Sequence, residues 1–255
     1  MSYQTIGFRI EGTVAFLTLN RPHAANTMNR LMVEECLDAL KICDERAVVV
    51  VLEGSDDVFC LGADFHGLRE QVVGGVAEAH QPELLYEVWQ QLTQGDFVSI
   101  AHVRGRANAG GVGFVAACDI VLARSDAQFS LSELIFGVIP ACVLPFLIRR
   151  VGFQRAHFLT LSTQAVSAEQ ACLWGLVDAV DSDSQALLRK QLLRLRRLSK
   201  SNVAEYKSYM NRLATLPSDA RTIAIEQNVK SFASGQVIEN ICRYVEHGTF
   251  PWETH

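Results

Sequence analysis

The chain has 255 residues, of which 49% are hydrophobic and 20% charged, and its formal net charge is −5. That length and apolar content suit one large globular domain, or a domain with an appendage, around a substantial core. The acidic balance argues against general nucleic-acid binding, and no apolar run reaches the length of a membrane span.

Ile6 to Ile10 and Val14 to Leu19 read as two strands of a hairpin turning at Glu11-Gly12, with Asn20-Arg21-Pro22 ending the second. Asn29 is placed to cap a helix running to Cys43, whose apolar positions Val33, Cys36, Leu37, Leu40 and Cys43 form one buried face. Val48 to Leu52 is a continuous apolar run, the pattern of a strand covered on both sides. Leu68 to Val76 and Pro82 to Leu92 read as helices around Gly74-Gly75. Val98 to Val103 is the next strand, and the pair Gly110-Gly111 then opens a short apolar helix.

A strand, a glycine turn and a buried helix together present bare backbone N–H groups. The same glycines also serve tight helix packing. No lysine follows them, so there is no phosphate loop, and no dinucleotide fingerprint follows a first strand.

Ile120 to Ala123 reads as a strand, and Gln128 to Leu134 continues extended until Gly137 and Pro140 break the chain. Leu144 to Val151 and Phe153 to Leu161 are helices parted by Gly152. Ser167, with Gln170 in the capping-box position, starts another helix that ends at Gly175, and Val177 to Val180 is a short strand. Four helical segments follow: Gln185 to Leu198, Val203 to Leu213, Ser218 to Ala233 and Gln236 to Glu246. The pattern therefore predicts an α/β core over 1–183 and an all-helical region over 184–255.

The seven cysteines are scattered, with no Cys-x-x-Cys, which is the usage of a reduced protein with buried thiols and no metal site. Met1 to Thr5 lacks the basic-then-apolar order of a signal peptide, so a cytoplasmic location is expected.

Several motifs in this order resemble the crotonase superfamily, the enoyl-CoA hydratase/isomerase fold. They are Leu19-Asn20-Arg21-Pro22, Phe59-Cys60-Leu61-Gly62-Ala63-Asp64, His102 to Gly111, Cys118-Asp119-Ile120, Ala127 to Glu133, Gly137-Val138-Ile139-Pro140, and Ala168-Glu169-Gln170-Ala171 leading to Trp174-Gly175-Leu176-Val177-Asp178. The resemblance implies a spiral of ββα units with a helical C-terminal trimerisation region, in a homotrimer or a dimer of trimers. It also implies an acyl thioester substrate carried on the phosphopantetheine of an acyl carrier protein or of coenzyme A, with no bound cofactor. Ser130 to Leu134, Pro140 to Arg150 and Phe250-Pro251-Trp252-Glu253 are similar to the dehydratases of polyketide β-branching cassettes. Those enzymes convert 3-hydroxy-3-methylglutaryl-carrier protein to 3-methylglutaconyl-carrier protein.

Removing a proton beside a thioester carbonyl gathers negative charge on the carbonyl oxygen, and fixed N–H donors aimed there stabilise it. By match to the family motifs these donors are the amides of Ala63 and Gly110. The family's hydratases usually carry two pocket glutamates. One falls on Gly113 here and is missing; the other falls on Glu133. A lone Glu133, partly buried and with a raised pKa, can take the α-proton and return it to the departing β-hydroxyl.

Asn108 either bonds the leaving hydroxyl or substrate, or ties the loop together. Asp64 is placed to cap the next helix. Asp64, His66 and Gly111 are the remaining candidates for substrate contact. The basic run Arg189 to Lys200 carries a leucine stripe at Leu188, Leu192, Leu195 and Leu198. Its Arg194, Arg196 and Arg197 are either a solvated face or a docking patch for an acidic carrier protein or for coenzyme phosphates.

The leading expectation is a hydro-lyase of the β-branching type. An ordinary enoyl-CoA hydratase or isomerase, the decarboxylase of the same cassette and a non-catalytic thioester-binding protein are the alternatives. No G-x-S-x-G elbow supplies a hydrolase nucleophile.

Overall fold

After an N-terminal hairpin, the third to eighth strands of this chain alternate between two sheets, and helices close each circuit. The computed structural model describes residues 3–75, 81–213, 217 and 219–253. Strands β1 (Ile6–Glu11) and β2 (Val14–Leu19) form the antiparallel hairpin. After a 3-10 turn, Asn29 accepts a hydrogen bond from the Met32 amide at 3.0 Å and starts α1 (Arg30–Arg46). That cap satisfies one of the helix's free N–H groups. Strand β3 (Val49–Glu53) is buried along its whole length and pairs in parallel with β2, as its unbroken apolar run requires.

The circuit then repeats. Strand β4 (Val58–Cys60) enters the second sheet and leads to helices α2 (Phe65–Gly74) and α3 (Pro82–Gln94). Strand β5 (Val98–Val103) returns to the first sheet, β6 (Arg106–Asn108) to the second, and α4 (Gly110–Ala117) follows. Strands β7 (Ile120–Arg124) and β8 (Gln128–Ser130) make the next pair. A 3-10 turn, Glu133–Phe136, leads to α5 (Leu144–Val151) and α6 (Phe153–Ser162). Strand β9 (Val166–Ser167), α7 (Ala168–Leu173) and β10 (Ala179–Asp181) complete the core. Ser167 caps α7, accepting from the Gln170 amide at 3.2 Å.

Among the described residues the first sheet has the order β1-β2-β3-β5-β7-β10 and the second β4-β6-β8-β9. The second sheet is the part that hydrophobic periodicity does not foresee. Its strands are two or three residues long, too short for a period of two to show.

The helical region comprises α8 (Ser184–Leu195), α9 (Lys200–Leu213), α10 (Ala220–Phe232) and α11 (Gly235–His247). Leu188 and Leu192 of α8 bury against Val14, Val51, Ile100 and Leu122 on the outer face of the first sheet. A buried polar latch reinforces this packing. The His102 ring lies 2.9 Å from the Glu53 carboxylate through Nδ1 and 2.9 Å from the Ser184 hydroxyl through Nε2. Burial alone would raise the Glu53 carboxyl, but the His102 hydrogen bond and the charges of His102 and Arg104 outweigh it and hold it low. From α9, the buried Lys207 ammonium donates to Asp119 at 2.7 Å and to the Phe97 carbonyl at 2.8 Å. Lys200 donates to the Ala47 carbonyl at 2.9 Å and so anchors the C-terminus of α1.

Four expectations shift. The segment Gln128 to Leu134 is extended only to Ser130, because Glu133–Phe136 tightens into 3-10 geometry that ends on Gly137 at φ 80°. The last core strand is Ala179–Asp181 rather than Val177 to Val180. Helix α2 starts at Phe65, where Asp64 caps it, three residues earlier than the apolar pattern begins. The leucine stripe stops at Leu195 with the helix, and Leu198 is exposed. Val76 and Ser218, each expected at a helix end, lie outside the described residues.

Candidate active site

Three turns meet at the N-terminus of α4. The first is Leu61 to Asp64. The Met28 amide donates to the Gly62 carbonyl at 2.7 Å, and the Asp64 amide donates to the Met28 carbonyl at 3.1 Å. These two bonds form a parallel bridge between Met28 and Ala63. In such a bridge the central residue turns its own N–H to the opposite edge, so the Ala63 amide points away from Met28, with no backbone acceptor among the described residues.

Asp64 holds the end of this turn in two directions. Its Oδ1 accepts from the Gly67 amide at 3.0 Å, capping α2, and its Oδ2 receives the Arg21 guanidinium at 2.8 Å. Arg21 also donates to the Thr27 carbonyl. The Asn-Arg-Pro turn thus clamps the strand that presents Ala63, and both partners of the ion pair are nearly buried.

The second turn is Ala109-Gly110. Ala109 adopts φ 53° and ψ −127°, a costly conformation for a residue with a side chain. It is held there by its amide, which donates to the Ser130 carbonyl at 3.0 Å. Gly110 follows as the first residue of α4, where no intrahelical acceptor exists for its N–H. The two turns touch: a Cβ built on Gly62 would lie 3.4 Å from the Gly110 nitrogen and 2.6 Å from the Ala109 Cβ. Gly62 itself has φ +93°. Both turns thus sit beside the positive end of a buried helix, with neither amide given a backbone acceptor among the described residues.

The third turn carries Glu133. Strand β8 pairs with β6 in parallel, setting Ser130 beside Asn108. Asn108 Oδ1 accepts from the Ser130 hydroxyl at 2.8 Å, and Nδ2 donates to the Ser132 hydroxyl at 2.8 Å. Both ends of that amide are engaged in tying the Glu133 turn to the glycine turn. Phe136 closes the other side, packing edge-on against Phe65 of α2 at 5.3 Å and Tyr244 of α11 at 5.0 Å. Glu133 is 9% exposed, and its Oε2 is buried without a hydrogen-bond partner among the described residues. Burial pushes its carboxyl up to about 8, and a backbone hydrogen bond only partly opposes this.

The remaining candidates fall differently. His66 is exposed in the first turn of α2. Gly111 is buried, and a Cβ there would fall on the Cys60 carbonyl oxygen, so its smallness lets α4 lie against β4. Arg194 is exposed in the last turn of α8, and Arg196 and Arg197 are exposed just beyond it. Among the described residues no group of three or more His, Cys, Asp or Glu is placed to hold a metal ion. No helix of the described residues is long and apolar enough to cross a membrane.

One neighbour escapes the sequence reading. A Cβ on Gly113 would lie 2.5 to 2.8 Å from three atoms of the Trp89 ring, so the indole occupies the space that a side chain at 113 would need. The signal was present in the missing glutamate: a vacated position in a dense core must be filled from elsewhere.

The enoyl-CoA hydratase/isomerase family matches residues 9–255. The chain belongs to that family, has the crotonase fold and is an enzyme of the hydro-lyase kind. It is 50% identical over 254 residues to the bacillaene synthase dehydratase PksH of Bacillus subtilis (strain 168), covering 99% of this chain and 98% of that one. A crystal structure described as a polyketide biosynthesis enoyl-CoA hydratase (pksH) from Bacillus subtilis superposes with a TM-score of 0.95. It is 49% identical, over 98% of this chain and 100% of that chain. The 2,3-dehydroadipyl-CoA hydratase of Escherichia coli (strain K12) is 33% identical over 170 residues, 66% of this chain and 65% of its own.

Proposed function

We propose that this enzyme is a dehydratase of polyketide biosynthesis that removes water from 3-hydroxy-3-methylglutaryl-acyl carrier protein to give 3-methylglutaconyl-acyl carrier protein. What supports the reading is the buried Glu133 carboxyl, on a turn that Asn108 ties to the strand leading into Gly110, with Trp89 in the space that a side chain at 113 would need. Whole-length similarity to a dehydratase supports it.

The thioester carbonyl accepts from the Ala63 and Gly110 amides, each worth about 3 kcal/mol once charge develops on the oxygen. Ionised Glu133 takes the α-proton, and the electron pair moves to the oxygen as an enolate. The enolate re-forms the carbonyl, the α–β double bond is made, and the β-carbon–oxygen bond breaks. Glu133 returns its proton to the departing hydroxide, which leaves as water. A carboxyl near neutrality suits both halves of that exchange. Asn108 acts as a positioning residue for the Glu133 turn, and Asp64 for the Ala63 turn. His66 and Gly111 are the weaker substrate-contact candidates.

The test is to incubate the protein with hydroxymethylglutaryl-carrier protein and weigh the product. Loss of water is the expected result. Further loss of carbon dioxide would make it the decarboxylase, and an unchanged mass would leave only thioester binding. The carrier is proposed to dock on Arg194, Arg196 and Arg197 through charge complementarity. Changing the three to Glu should slow turnover of carrier-bound substrate but not of a short pantetheine thioester; equal turnover of both forms would remove the patch from docking. The homotrimer or dimer of trimers stays with the family resemblance and is checked by light scattering.

A further inference from the structure

Trp89 is 1% exposed, yet its indole Nε1 has no hydrogen-bond partner among the described residues. Indole N–H groups usually find an acceptor when buried, because an unmade hydrogen bond there is not repaid by water. The ring is held edge-on by Phe114 at 6.0 Å and by Phe146 at 5.8 Å between centroids, two groups without polar atoms. Its Cζ2 edge lies over α4, 3.7 Å from where a Cβ on Gly110 would be. Cε2, the atom bonded to Nε1, would be 2.8 Å from a Cβ on Gly113. The unpartnered donor is therefore one bond from a ring atom packed on Gly113, one helical turn beyond Gly110. Glu133 Oε2 is a second buried polar atom without a partner among the described residues.

We infer that the Trp89 indole N–H is a substrate-binding group that donates a hydrogen bond to the β-oxygen leaving as water. This deepens the proposed dehydration and rests on it. Indole nitrogen only donates, so it accepts no proton and takes no part in the proton count. Glu133 still carries the α-proton to the hydroxide. Trp89 stabilises the negative charge on that oxygen as the bond to the β-carbon breaks, the stage at which a preorganised neutral donor in a dry site contributes most. An aromatic ring thereby fills the space of an absent carboxylate and offers one polar atom towards the reacting centre.

Trp89→Phe opens a void in the core, so the cleaner variant replaces Trp89 by β-(3-benzothienyl)alanine, which keeps the ring shape and loses the N–H. The background carries Trp174→Phe and Trp252→Phe. With 3-hydroxy-3-methylglutaryl-pantetheine, kcat/KM for water loss should fall on the order of 10- to 100-fold. Exchange of the α-proton of 3-methylglutaryl-pantetheine in heavy water, which needs the amides and Glu133 but no leaving oxygen, should stay within threefold. Equal losses in both assays would assign Trp89 to packing alone, and no loss in either would leave its N–H unused; both overturn the inference. Wild-type water loss tests the dehydratase reading separately. Whatever its result, the 15N–1H resonance of the Trp89 indole should move downfield with the hydroxylated thioester and not with the deoxy one. A resonance that ignores the hydroxyl overturns the inference.

Discussion

Replacing Glu133 by Gln should strengthen the fold while removing the chemistry, and the gain should grow with pH. Burial raises this carboxyl from 4.5 to about 8, so the folded chain holds the proton far more tightly than the unfolded one. The stability that this contributes is fully present below the unfolded value and is lost as pH rises through the folded value, about 8. The interval spans roughly 3.5 units, and at about 1.36 kcal/mol per unit the ceiling is about 5 kcal/mol. Water entering the ionised site relaxes part of that penalty, so about 2–4 kcal/mol is expected between pH ~5 and ~8.5, or roughly 5–10 °C in melting temperature for a chain of this size. Gln stays neutral and keeps the shape, so Glu133→Gln escapes the loss. Calorimetric melts of both proteins at the two pH values make the comparison. A difference between them that is the same at both would show that the site does not hold Glu133 neutral, and would refute the reasoning.

Turnover should run the opposite way, with kcat/KM climbing as pH approaches about 8 and the base form fills; a rate flat from pH ~6 to ~9 would mean that another group takes the proton. Gly111→Ala sets a methyl against the Cys60 carbonyl, which is backbone and cannot swing aside, so the variant should lose about 3 kcal/mol or more, or fail to fold. A wild-type melting temperature would contradict the packing described. Arg21→Leu leaves Asp64 without its guanidinium in a nearly buried site, so stability should fall by about 2–4 kcal/mol and turnover with it, because the Ala63 turn loosens. Unchanged turnover would show that the ion pair does not position that turn.

The long elements were legible because their burial is one-sided or complete. The α1 stripe, the unbroken β3 run and the Asn29 and Ser167 caps are local facts of the chain. The second sheet was not legible, since strands of two or three residues pair only because the spiral stacks them. The site divides in the same way. Ala63, Gly110 and Glu133 were proposed by motif; the raised pKa expected of Glu133 is present, and its side chain is more deeply buried than expected. Asn108 was undecided until β6 met β8 and both ends of its amide were seen bonded to serines. Trp89 was missed because its relation to Gly113 is a contact between two helices distant in sequence, with no local pattern to announce it.

The central claim is that two main-chain amides hold a thioester oxygen while a lone carboxyl handles the proton. It is tested most directly by a crystal structure with a non-hydrolysable 3-hydroxyacyl-pantetheine analogue. The account predicts the carbonyl oxygen within about 2.7–3.1 Å of both the Ala63 and Gly110 nitrogens, with the α-carbon facing Glu133 Oε2. A carbonyl bound away from both amides, or an α-carbon turned from Glu133, would contradict it.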